Sequence, residues 1–140
     1  MDTNHLATAL HACATGLLPL EAGTGLLISN GAFLHRDDFT RRFITYGTSG
    51  GTLMAAIDWD AAITALNGSG LPCSGGERRI LLLSASLAAG TPVSLRDTVT
   101  GLDDHNTALL ATAIHHTAEK DQRTATSTAV LVLLNSRYPT

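Results

Sequence analysis

The chain has 140 residues and a mass of 14.6 kDa, the size of one ordinary domain. Apolar residues make up 44% and charged residues 15%, a composition too oily and too weakly charged for a disordered chain. A net charge of −3 argues against coating phosphate backbones, and two cysteines, Cys13 and Cys73, are too few for a disulfide framework or a four-cysteine zinc site.

From the N-terminus, Leu6, Leu10, Cys13 and Leu17 recur at steps of four, three and four, which predicts one face of a helix begun by Asp2 or Thr3 and stopped near Gly16. Pro19 suits the first turn of a second helix, in which Leu20, Thr24 and Leu27 share a face and which ends near Gly31. Gly23 and Gly25 each cost that helix about 1 kcal/mol relative to Ala, so close packing is expected there if the helix forms. Residues 36–44 place Phe39, Phe43 and Ile44 on one side of a short amphipathic helix. The stretch Tyr46 to Thr52 (YGTSGGT) reads as a glycine-rich break. Asp58 then caps a helix with Trp59, Ala62, Ile63 and Leu66 facing inward, stopped by Asn67-Gly68.

The sharpest local signal is Ser74-Gly-Gly-Glu77. The Ser74 hydroxyl can accept from the third helical amide while Glu77 reaches back to the capping amide. Ile80, Leu83 and Leu87 centre a face that Leu81 and Leu82 widen, and Gly90 with Pro92 ends the helix. Ser94 opens a two-turn helix ending at Gly101, and Asp103 caps a helix from about Asp104 to Glu119 with Leu109, Leu110, Ala113, Ile114 and Thr117 as its stripe. Beyond it, Thr124 to Thr128 is poor helix material, and AVLVLLN suits either a strand or a short docking helix. The expectation is an all-α compact bundle of about six short helices over residues 1–120, with a C-terminal extension, 121–140, that docks or swaps.

Several motifs carry chemistry in other proteins. Gly47-Thr-Ser-Gly-Gly51 matches the G-x-S-x-G nucleophile elbow and looks like the G-D-S-G-G stretch of serine proteases, which makes Ser49 a candidate nucleophile. Both settings need β architecture that a helical pattern cannot supply, so a flexible connector is the simpler account. Cys73 precedes a helix N-terminus, where free amides lower a thiol pKa, and is the second candidate nucleophile; a small buried hydrophobe is the simpler account. Cys73-Ser-Gly-Gly-Glu77 also resembles the signature stretch of ABC-type ATPases. The chain has no G-x-x-x-x-G-K-[ST] and a single lysine, Lys120, so no Walker-type nucleotide site follows, and helix capping explains Ser74 and Glu77. The six histidines lack the i, i+3 or i, i+4 spacing of helical metal ligands, and no metal or cofactor is implied.

Three consecutive helices over 75–119 resemble a helix-turn-helix domain, with Arg78, Arg79, Arg96 and Asn106 as candidate nucleic-acid contacts. Asp103 and Asp104 at the start of the would-be recognition helix oppose that reading, because they meet phosphates with negative charge. The stretches GAFLHRDDFTRRFI, IDWDAAITAL, LPCSGGERRILLLSASLAAG and VSLRDTVTGLDDHNTALLATAI loosely resemble small uncharacterised helical proteins of high-GC bacteria, a likeness that implies no activity.

The reading that best accommodates these features is a non-enzymatic helical module that binds a protein partner or self-associates, with Val130, Leu131, Val132, Leu133 and Leu134 as its contact residues. The alternatives are a helix-turn-helix regulator and a small hydrolase or thiol enzyme. No membrane span or export signal is legible, and a reducing cytoplasm with free thiols is the expected compartment.

Overall fold

A computed structural model describes residues 2–119. Seven α-helices are present among them: α1 (Thr3–Ala14), α2 (Leu18–Asn30), α3 (Asp37–Phe43), α4 (Trp59–Asn67), α5 (Gly75–Ala89), α6 (Leu95–Val99) and α7 (Asp104–Ala118). A 3₁₀ turn (Phe33–His35) precedes α3, and two strands, β1 (Ile44–Ser49) and β2 (Thr52–Ile57), form an antiparallel hairpin between α3 and α4. This corrects the all-α expectation of about six helices. The element outside the helices is an internal hairpin; the C-terminal strand or helix expected at 121–140 lies outside the described residues.

The hairpin forms where a glycine-rich break was expected. Gly50 and Gly51 both have positive φ, +57° and +83°, and Ser49 pairs with Thr52, so the turn is a two-residue loop of the primed type. Such a loop matches the right-handed twist of the flanking strands and needs residues that accept positive φ. β1 carries Ile44, Thr45, Tyr46 and Thr48, residues that favour a pleated backbone. β2 is richer in Ala, Leu and Met, which hides it from a propensity reading, and it is held by pairing with β1 and packing on α1.

Helix ends follow the local chemistry. The Asp2, Asp58, Ser94 and Asp103 side chains each accept an amide of their helix, and Ser74 with Glu77 completes the reciprocal box at α5. Gly31 and Gly90 end α2 and α5 in the left-handed region, at φ +86° and +74°. On α4, Trp59, Ala62, Ile63 and Leu66 are all buried, as their spacing predicts. Phe33, Phe39 and Phe43 stack with ring centroids 5.0 and 5.4 Å apart, joining the 3₁₀ turn to α3.

Three faces differ from their sequence reading. α1 stops at Ala14, and Gly16 (φ +102°) turns the chain, so Leu17 belongs to the start of α2 and is 63% exposed. Its inward face is Leu6, Ala9, Leu10 and Ala14, and Cys13 points outward. In α2, Ala22, Gly23, Thr24, Leu26 and Leu27 are all buried, because α1, α5 and α7 pack around it. In α7 the isoleucine of the predicted stripe, Ile114, is 49% exposed, while Asn106 is buried.

Helices α2 and α5 meet backbone to backbone at Gly23. A Cβ at Gly23 would overlap the Ser84 carbonyl oxygen and stand 2.6 Å from the Ala88 Cβ. Gly25 lies two residues on, about 200° round the helix, and a Cβ there would meet nothing within 4 Å. Beneath the crossing the Ser84 hydroxyl is fully buried without a hydrogen-bond partner among the described residues. Gly23→Ala is therefore expected to destabilise the fold by about 1–3 kcal/mol through overpacking, although Ala favours a helix. Gly25→Ala gains the helix preference without a clash and stabilises by about 0.5–1 kcal/mol. Shifts of opposite sign in the urea midpoint check the pair. Ser84→Ala removes an unpaired buried hydroxyl and is expected to raise stability by about 1 kcal/mol in the same assay.

Candidate binding groove over α2

α2 packs against α1 on one side and α7 on the other, leaving a groove above its outer face. The groove encloses about 320 Å³. Its floor is Ala22, Gly25 and Leu26, with Leu109 and Ala113 on the α7 wall. The depth comes from small side chains, above all from the empty space over Gly25.

The rim is polar and internally tied. Glu21 accepts from the Gly16 amide through Oε2 and from His116 Nε2 through Oε1, both at 2.7 Å. One carboxylate thus joins the α1–α2 turn to the last turn of α7. His116 Nδ1 also lies 3.6 Å from Glu119 Oε1. The Thr15 and Thr112 hydroxyls donate to their own helices, at His11 and Ala108 carbonyls. Thr15, Thr112, Glu21 and His116 on the rim are thus engaged within the fold, above a floor of small and apolar residues. The sequence places His116 at the flank of the α7 stripe, but its pairing with Glu21, 95 residues away, has no local signature.

The candidate nucleophiles lie elsewhere. Ser49 ends β1 beside the hairpin loop, so the chain runs from strand to strand, whereas the elbow needs a strand-to-helix turn. Cys73 is half-buried ahead of α5, and its basic neighbour is Arg36, whose Nη1 lies 3.6 Å from the sulfur. Burial pushes the Cys73 thiol above its ordinary pKa, outweighing the lowering effect of the Arg36 guanidinium. Arg36 is itself committed to Asp38, with bonds of 2.6 and 3.0 Å, and stands over the Phe33 ring. That pairing holds the Asp38 carboxyl below the usual carboxylate range.

The candidate nucleic-acid residues are scattered or engaged. Arg78 reaches the Leu66 carbonyl and the Asn67 side chain, Arg79 packs over Gly101, and Arg96 is exposed on α6. Asn106 accepts from Asn30 at 3.0 Å and bonds Asp103 through both its amides, so its edge faces the protein and not a base. Val130, Leu131, Val132, Leu133 and Leu134 lie outside the described residues. Among the described residues no three His, Cys, Asp or Glu side chains gather as a metal site, and no helix is long and apolar enough to cross a membrane. The chain matches no protein-family model, no curated protein and no solved structure.

The raised Cys73 pKa has a direct consequence. Its alkylation by iodoacetamide at neutral pH is expected to be slower than that of exposed Cys13, and its rate to climb only at higher pH than an unburied thiol's. Site-resolved mass spectrometry of the two labelled cysteines checks this.

Proposed function

We propose that the protein is a non-enzymatic helical interaction module that receives a protein partner in the groove over Gly25. The observation that carries this reading is the glycine itself. Gly25 weakens α2 by about 1 kcal/mol relative to Ala, and no neighbour within 4 Å requires the missing side chain. Its tertiary consequence is an open apolar floor.

The groove favours a polypeptide partner over a cofactor. About 320 Å³ is at the small end of the range for small-molecule sites, roughly 300–1,000 Å³. Among the described residues neither Lys nor Arg lines it, so these residues offer a phosphate-bearing cofactor no strong counter-charge. Two helices flanking a floor of small residues suit the apolar stripe of an amphipathic helix, with the polar rim meeting that helix's flanks. The Thr15 and Thr112 hydroxyls and His116 are already hydrogen-bonded within the fold, which fits binding better than nucleophilic chemistry.

Filling the floor tests the reading. Gly25→Leu places an apolar side chain in open space, so the variant is expected to fold and melt no lower than the parent. Binding of an environment-sensitive apolar dye, followed by fluorescence, is expected to fall at least tenfold in the variant. A parent that does not bind the dye, or a variant that binds it equally well, overturns the reading.

A further inference from the structure

We propose that a second copy of this chain pairs with the outer edge of β1, antiparallel and centred on Tyr46, joining two hairpins into a four-stranded sheet. The hairpin's register decides which backbone groups are available. Ser49 and Thr52 close the two-residue loop and exchange both ladder bonds, so the bonded pairs alternate back along the strands through Gly47–Met54 and Thr45–Ala56. The next pair in that series is Phe43 with Asp58, and the Asp58 amide does donate to the Phe43 carbonyl at 2.7 Å. The N–H and C=O groups of Ile44, Tyr46 and Thr48 therefore point away from β2. Among the described residues nothing pairs with them.

This edge lacks the devices that keep sheet edges apart. From Ile44 to Ile57 the hairpin has no charged residue, no His and no Pro, and its register has no bulge. Two copies each carrying −3 repel, and an uncharged strand is where that repulsion is least concentrated. The outward groups are also self-complementary. With Tyr46 opposite Tyr46 of the second copy, Ile44 falls opposite Thr48 on both sides of the axis, and about six inter-chain hydrogen bonds form.

The side chains point to the same occupant. Ile44, Tyr46 and Thr48 share a face with Leu53, Ala55 and Ile57, and the buried members Ile44, Ala55 and Ile57 identify it as the core-facing one. Towards the loop that face emerges from the core, leaving Tyr46 50% and Leu53 39% exposed. Leu53 pairs with Thr48 and is the diagonal neighbour of Tyr46. Two-fold pairing sets two tyrosines side by side at the axis, each with a leucine of its own hairpin as diagonal neighbour. It also turns a two-stranded ribbon into a four-stranded sheet, a far more stable unit.

Sedimentation velocity on the full chain from micromolar to millimolar concentration is expected to show the mass rising from 14.6 kDa towards twice that value. Over the same series, hydrogen exchange read by NMR is expected to slow at the Tyr46 and Thr48 amides. Thr48→Pro removes an outward N–H that the hairpin ladder does not use, and Tyr46→Lys sets two ammonium groups side by side at the axis. Both variants are expected to remain monomeric throughout. A parent that is monomeric at every concentration overturns the proposal, as does a dimer unaffected by both variants. Protection of these amides that does not depend on concentration marks pairing within one chain and overturns it equally. Should Thr48→Pro fail to fold, Tyr46→Lys and exchange in the parent decide the matter.

Discussion

The close crossing of α2 and α5 at Gly23 is the constraint from which the rest of the architecture follows. Backbone meets backbone there, with a carbonyl of α5 and the Ala88 methyl where a side chain would stand. Such an approach lets α2 sit deep enough for α1 and α7 to pack on its other sides, so that five of its residues between positions 22 and 27 are buried. Dispersion contacts fall off steeply with distance, so a helix pair held apart by even one methyl group loses much of its packing energy. At this crossing the Ser84 hydroxyl is buried with no hydrogen-bond partner among the described residues.

The two glycines of α2 play opposite parts. Gly23 is filled by a neighbour, and Gly25 is left open. The first makes the core compact; the second makes a concavity in its surface. Around that concavity the Glu21 carboxylate spans the α1–α2 turn and the end of α7, adding polar bonds to the apolar packing of α7 on α2. The hairpin stands apart from this cluster, with its root in the core and its loop end in solvent, as the burial of Ile44 and Ile57 and the exposure of Tyr46 and Leu53 show. A groove and an unpaired strand edge are two different means of binding polypeptide, one through side chains and the other through backbone.

Much of the helical framework was legible residue by residue. The caps at Asp58, Ser74 and Asp103, the stops at Gly31, Gly68 and Gly90, and the inward face of α4 all depend on chemistry within a few residues. The hairpin is not legible in the sequence, for an identifiable reason. Gly50-Gly51 between two short runs is a hairpin signal, but the overlapping G-x-S-x-G pattern fits a connector equally and the composition of β2 favours a helix. Ile114 and Cys13 illustrate a different failure. Periodicity shows that residues share a face, not how wide a stripe the neighbours will cover.

What the sequence by itself determined is therefore the local order: where helices begin and end, which chemistries lack their residue types, and that Gly23 and Gly25 needed a reason. Those properties are encoded in hydrogen bonds and steric preferences spanning a turn or so of chain. Only the tertiary structure decided that one glycine is a contact and the other an opening, that Glu21 meets His116 across 95 residues, and which edge of β1 is left unpaired. Each of these depends on which surfaces meet, and that is set by the packing of the whole chain rather than by any one segment.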